Sequence, residues 1–167
     1  RPLILMTPKS LLRNPLASSE LAEFTQGTFR PVLDDPAVAN APENVTRVVL
    51  CSGKVAIDLE ASPLRGETGN VAVLRVEQLA PFQHTAIRTA LEQYPNAQEL
   101  VWLQEEPRNM GAWPYLRDRL QTLVGQRAEV RYIGRPERAS PAEGWSEAHA
   151  AEQRRIISEI LEEVPSH

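Results

Sequence analysis

The sequence predicts an α/β fold, a three-layer arrangement in which a mostly parallel five-stranded sheet carries helices on both faces. Two observations predict it. Five short apolar runs, residues 3–6, 48–51, 71–76, 100–103 and 130–133, recur along the chain, and apart from Arg75 and Arg131 they are continuously apolar rather than alternating, as strands covered on both sides are. The segments between them carry helical periodicity instead.

In chain order, Leu3-Ile4-Leu5-Met6 reads as the first strand. A short helical piece follows over 20–24, and then a proline-rich passage from Asp34-Asp35-Pro36 to Pro42 that reads as a surface loop tolerant of length changes. The second strand, 48–51, turns through Ser52-Gly53-Lys54 into a helix over 55–59. After the third strand, Ile87, Ala90, Leu91 and Tyr94 form the i, i+3, i+4, i+7 stripe of an amphipathic helix that Pro95-Asn96 ends. The fourth strand runs out into Gln104-Glu105-Glu106-Pro107, a polar exit of the kind at which α/β sheets present their functional edge. The fifth leads into an irregular stretch, 134–144, in which prolines and glycines break regular structure around Arg135 and Arg138. Ile157, Ile160, Leu161 and Val164 then mark a last helix lying across the sheet, with Glu152, Arg154, Arg155 and Glu159 on its wet face. No repeat or interdomain linker interrupts this order, so residues 1–167 read as one domain.

At 167 residues and 42% hydrophobic, the chain is long enough to bury a core. A net charge of −4 argues against nucleic acid or an anionic membrane as partner. The one cysteine, Cys51, excludes an internal disulfide framework and suits a reducing, cytosol-like compartment. No apolar run approaches the ~20 residues of a membrane helix, and no signal-peptide pattern opens the chain. A start at Arg1 rather than methionine is expected of a segment of something longer.

Reactive groups are sparse. His84, His149 and His167 fit no ligand spacing, so no metal site is expected. Cys51, inside an apolar run, reads as a small hydrophobe. The Ser52-Gly53-Lys54 turn can offer backbone N–H groups and a lysine to an anion, although the glycine can equally serve the turn alone. Thr7-Pro8-Lys9-Ser10, with Arg13, repeats that arrangement after the first run. If the two strands are neighbours, Lys9, Ser10, Arg13, Ser52 and Lys54 form a candidate site for a phosphate-bearing ligand. Glu105-Glu106 reads either as an acid/base pair or as separate salt-bridging or capping groups, since adjacent residues of an extended segment point to opposite sides. Arg108, Asn109 and Trp113 stand where an interface anchor is expected, with the core as the alternative for Trp113. Arg135 and Arg138 are expected to pair with Glu105 or Glu106, to reach a partner subunit, or to lie exposed.

Taken in order, several motifs add up to more than each does alone. They are Thr7-Pro8-Lys9-Ser10-Leu11-Leu12-Arg13, Gly27-Thr28-Phe29, Val45-Thr46-Arg47-Val48-Val49-Leu50-Cys51-Ser52-Gly53-Lys54 and Arg75-Val76-Glu77-Gln78-Leu79-Ala80-Pro81-Phe82. Trp102-Leu103-Gln104-Glu105-Glu106-Pro107, Asn109, Gly111-Ala112-Trp113, Gly134-Arg135-Pro136 and Ala139-Ser140-Pro141-Ala142 continue the series. Over nearly the whole chain they resemble the C-terminal region of the decarboxylating component of 2-oxoglutarate dehydrogenase.

The resemblance implies a transketolase C-terminal-like domain, the last of three in a homodimeric enzyme that holds thiamine diphosphate and magnesium between its first two domains. The Gly-Asp-Gly and following Asn that bind the magnesium-diphosphate in that superfamily are missing from this sequence. No catalytic, cofactor-binding or metal residue is therefore expected here, and the isolated segment is expected to be inactive. The implied parent decarboxylates 2-oxoglutarate and passes the succinyl group to the lipoyl arm of a dihydrolipoyl succinyltransferase; a 2-oxoadipate-specific relative would look the same in this region. Implied roles of the region are packing on the remaining domains, dimer assembly and binding of a nucleotide regulator, AMP or acetyl-CoA. Those regulators would be met by Lys9, Ser10, Arg13, Ser52, Lys54, Gln83 and His84. Actinobacterial members have an arginine-rich run after the proline where this chain has Phe82-Gln83-His84, which disfavours acetyl-CoA, whose 3′-phosphate suits arginine forks. Glu105, Glu106, Asn109, Trp113 and Arg135 are the interface or structural candidates. The implied location is bacterial cytoplasm, or the mitochondrial matrix for a eukaryotic chain. A reading from another class is a free-standing nucleotide-sensing or protein-interaction module on the same fold.

Overall fold

Five strands meet in one sheet in the order β1-β3-β2-β4-β5, with β1 at Val32–Leu33, β2 at Arg47–Cys51, β3 at Val71–Val76, β4 at Glu99–Pro107 and β5 at Val130–Arg135. The structure, a computed structural model, describes residues 2–161. Strands β3, β2, β4 and β5 run parallel, and β1 alone is antiparallel, opposing Val32 to Val76 and Leu33 to Arg75. The helices are α1 (Leu21–Gln26), α2 (Lys54–Glu60), α3 (His84–Leu91), α4 (Trp113–Val124) and α5 (Ser146–Leu161). The expected mostly parallel five-stranded α/β sheet with helices on both faces is what forms.

The two-residue period of the strands sorts their side chains into two cores. Val48, Leu50, Leu74, Leu100 and Trp102 pack under Ile87 of α3 and Trp113, Leu116 and Leu120 of α4. Val49, Cys51, Val73, Val101, Leu103 and Ile133 pack under Val55 and Leu59 of α2 and under Ile156, Ile157, Ile160 and Leu161 of α5. The final helix thus lies across the sheet as its stripe predicts, while Val164 and His167 fall outside the described residues.

Two expectations are corrected. Residues 3–6 form no strand: Leu3, Ile4, Leu5 and Met6 are all exposed. An apolar run becomes a strand only where a neighbour supplies backbone partners, and the edge beside β3 is already taken by β1. Nor is 34–42 a loop free to change length, because Asp35 and Val38 are buried. β1 is too short to pair with all of β3, and two side chains complete the job. The Asp35 carboxylate accepts the Val73 N–H at 2.7 Å, Arg65 donates to the Val71 carbonyl at 3.0 Å, and Asp35 and Arg65 form an ion pair with each other.

Candidate functional site

From β2 the chain turns onto one face through α2, and from its neighbour β4 onto the other through α4. Connections that part in this way open a crevice at the carboxyl ends of the two strands, the place where open α/β sheets accept ligands. β2 leaves through Ser52 and Gly53, whose φ of +73° is a conformation glycine adopts without strain. Because Cys51 lies opposite Leu103, the next residues of the two exits come face to face.

What fills the crevice is a polar cluster built from three elements. Lys54 Nζ donates to Glu105 Oε1 of β4 at 3.0 Å and is bonded also to the Asp58 carboxylate one turn along α2. Gln153 of α5 donates from Nε2 to both carboxylates, at 2.7 Å to each. Burial pulls the Lys54 ammonium down, but its bonds to Asp58 and Glu105 outweigh that and hold it above the ordinary lysine range. One cation facing two carboxylates leaves the cluster acidic by one charge.

Glu106 is exposed whereas Glu105 is half-buried, because strand parity sends the two carboxylates to opposite faces. Arg135 and Arg138 pair with neither. Arg135 Nε lies 3.5 Å and Arg138 Nη1 2.7 Å from the carboxylate of Glu143, because 136–144 folds back over the end of β5 and brings its own glutamate to them. Arg135 is buried, and its Nη2 also reaches His149 Nδ1 at 2.8 Å. Asn109 ties the same loop down, donating to the Arg138 carbonyl at 3.0 Å and accepting the Arg138 N–H at 3.2 Å. Trp113 is core. Cys51 is fully buried, and burial pushes its thiol up to about 12, so it stays protonated at neutral pH.

The phosphate candidates do not assemble as one group. Lys9 and Ser10 lie in a 3-10 turn, Lys9–Leu11, outside the sheet, and they and Arg13 are exposed. A second turn, Pro15–Ala17, brings this segment against α2. Gln83 and His84 stand past the end of β3, next to β2: Gln83 Nε2 donates to the Pro81 carbonyl at 2.7 Å, and His84 Nε2 lies 3.2 Å from Arg88 Nη2. Among the described residues no three His, Cys, Asp or Glu side chains are placed to hold a metal, and no helix is long and apolar enough to cross a membrane.

Sequence reasoning passed over Gln104, the buried hub of the β4 exit. Its Oε1 accepts from the Trp102 indole at 2.9 Å and from the Trp113 N–H at 3.0 Å, and its Nε2 donates to the Met110 carbonyl at 2.8 Å. The one signal available was its position, a polar residue on the parity of Leu100 and Trp102, which both face the core.

The profile of the family described as 2-oxoglutarate dehydrogenase C-terminal matches residues 18–161. A 2-oxoglutarate dehydrogenase E1 component from an Exiguobacterium species is 49% identical over 163 residues, covering 96% of this chain and 17% of the relative. The protein of the same name from Shouchella clausii is 47% identical over the same coverage. The chain therefore spans about a sixth of the length of these relatives. With the profile matched through all five strands and near-half identity across almost every residue, the chain belongs to the 2-oxoglutarate dehydrogenase C-terminal family.

Proposed function

We propose that this chain is the structural C-terminal domain of a 2-oxoglutarate dehydrogenase E1 component, a homodimeric oxidoreductase that decarboxylates 2-oxoglutarate and hands the succinyl group to its dihydrolipoyl succinyltransferase partner. The observation that carries this reading is alignment of 96% of the chain, at 49% identity, with only 17% of a protein of that name. The crevice supports it: Lys54, Asp58, Glu105 and Gln153 are engaged with one another, which suits a scaffold better than a reaction centre. The thiamine diphosphate and magnesium of such an enzyme do not fit these residues, because among the described residues no three His, Cys, Asp or Glu side chains are placed to hold the metal that the diphosphate carries.

The test is made on the full-length protein, loaded with thiamine diphosphate and magnesium and offered 2-oxoglutarate with ferricyanide as electron acceptor. Turnover dependent on 2-oxoglutarate is expected, in the reducing, soluble setting of the bacterial cytoplasm. Turnover of any 2-oxo acid by residues 1–167 alone would overturn the structural role.

The finer proposal is regulatory. β2 and β3 are neighbours, so Ser52 and Lys54 share the carboxyl edge of the sheet with Gln83 and His84, while the segment bearing Lys9, Ser10 and Arg13 approaches α2. A nucleotide such as AMP bound there would have to win Lys54 from Asp58 or Glu105. Calorimetric titration of the full-length enzyme with AMP and with acetyl-CoA decides it: saturable heat that Lys54→Ala abolishes is expected, and no heat with either compound removes the regulatory role.

A further inference from the structure

The exposed apolar surface of this chain is concentrated rather than scattered. Of the ten large hydrophobic side chains exposed among the described residues, nine lie between Leu3 and Phe29, and the tenth is Trp145. From Pro2 to Arg30 every residue except Leu11 and Asn14 is exposed. On a monomeric protein the exposed apolar side chains are ordinarily scattered singly rather than gathered in one stretch of chain.

The segment is nonetheless shaped. Asn14 Oδ1 caps the Pro15–Ala17 turn by accepting the Leu16 N–H at 3.0 Å, and Arg30 is tied to Glu23 at 2.7 Å across the end of α1. A six-residue helix is far below the length that holds together unaided in water, yet α1 forms with Leu21 and Phe24, at i and i+3, exposed by 77% and 76%. Order of this kind, with apolar groups facing outward, requires something that covers them.

The observations favour one occupant. The chain accounts for 17% of its relatives, and the family region is by description C-terminal, so the rest of such a protein precedes it in sequence. Residues 3–29 are the part of this region joined directly to what precedes, and the covalent tether makes their docking intramolecular, with a high effective concentration.

We propose that residues 3–29 are an apolar strap that docks on the portion of the parent polypeptide preceding this region and fixes the sheet domain to it. The proposal rests on reading the chain as the C-terminal part of a longer E1 component. Leu21 and Phe24 are the anchors, presented together by α1.

The experiment uses the full-length protein. p-Benzoylphenylalanine is placed at position 24, the sample is irradiated, and the crosslinked peptides are mapped by mass spectrometry. Links to residues that precede this region are expected; links to residues 3–29 of a second copy, links only within residues 30–161, or no links would overturn the proposal. In the unmodified protein, peptides covering 11–29 are expected to exchange their amide hydrogens at least about tenfold more slowly than the same peptides free in solution, and exchange at the free rate would overturn it as well. Turnover of 2-oxoglutarate by the same preparation reports separately on the E1 reading. Turnover without the crosslink removes the strap and keeps the enzyme, and the crosslink without turnover does the reverse.

Discussion

Gln104 is only 4% exposed, and its one amide serves both the exit of β4 and the first turn of α4. α4 begins without a side-chain cap of its own from Ala112, so the Gln104 Oε1 supplies the acceptor that a capping residue would give the Trp113 N–H. Gly111, at φ +65°, lies so close to Gln104 that a Cβ there would meet its Nε2 at 2.9 Å. Replacing Gln104 by leucine keeps the volume and strands the Trp113 N–H, the Trp102 indole and the Met110 carbonyl without a partner. At roughly 1–3 kcal/mol for each buried unsatisfied group, Gln104→Leu is expected to lower unfolding stability by about 3 kcal/mol or more. Urea denaturation checks this: a lower midpoint at unchanged slope is the expected result, and a loss under about 1 kcal/mol would mean that these groups find other partners.

At the scale of elements, the edge of β3 shows side chains doing a strand's work. Asp35 and Arg65 are both buried, and each satisfies a backbone group of β3 as well as the other's charge. Asp35→Ala leaves the Arg65 guanidinium buried and the Val73 N–H unpaired, so a loss of about 3–5 kcal/mol is expected. The double change Asp35→Leu with Arg65→Met removes both charges and is expected to cost less than Asp35→Ala alone; thermal melts of the three proteins order them. None of this was legible in the sequence, where Asp34-Asp35-Pro36 carries the marks of any turn. β2 to β5 were legible because burial on both faces calls for mostly apolar residues, a pattern that Arg75 and Arg131 interrupt without hiding. The same logic misled at residues 3–6, where apolar character reflects an exposed segment with no neighbouring strand. The opposite facing of Glu105 and Glu106 followed from parity alone, but the partners of Glu105 lie 51 and 48 residues away and come only with the topology.

Across the whole molecule, the Lys54 cluster joins α2, β4 and α5 at the crevice, and so couples stability to alkaline pH. Lys54 titrates above its ordinary value in the fold, so its contribution is fully present below the unfolded lysine pKa of about 10.4 and is lost as pH rises through the folded value. Cys51 acts in the same direction from a lower starting point: its unfolded thiol ionises near about 8.5, while the buried one holds its proton to about 12. Stability is therefore expected to fall from about pH 8.5 upward and more steeply above about pH 10, where the raised Tyr94 and Tyr132 phenols add to Lys54. Lys54→Met should make the steeper part shallower and leave the onset unchanged. Because Lys54 is partly screened by solvent, the variant is expected to be only about 1 kcal/mol less stable at pH 7. Chemical denaturation at a series of pH values from neutral to strongly alkaline measures both.

One consequence of the connectivity concerns the order in which the chain is made. α5 comes after all five strands, yet Ile156, Ile157, Ile160 and Leu161 close an entire sheet face that α2 covers only in part. During synthesis that face stays partly open until Leu161 has been translated and the helix has cleared the ribosome's exit tunnel. Any ribosome stalled before then holds a nascent sheet with an open greasy side, a natural substrate for chaperones and a seed for clumping.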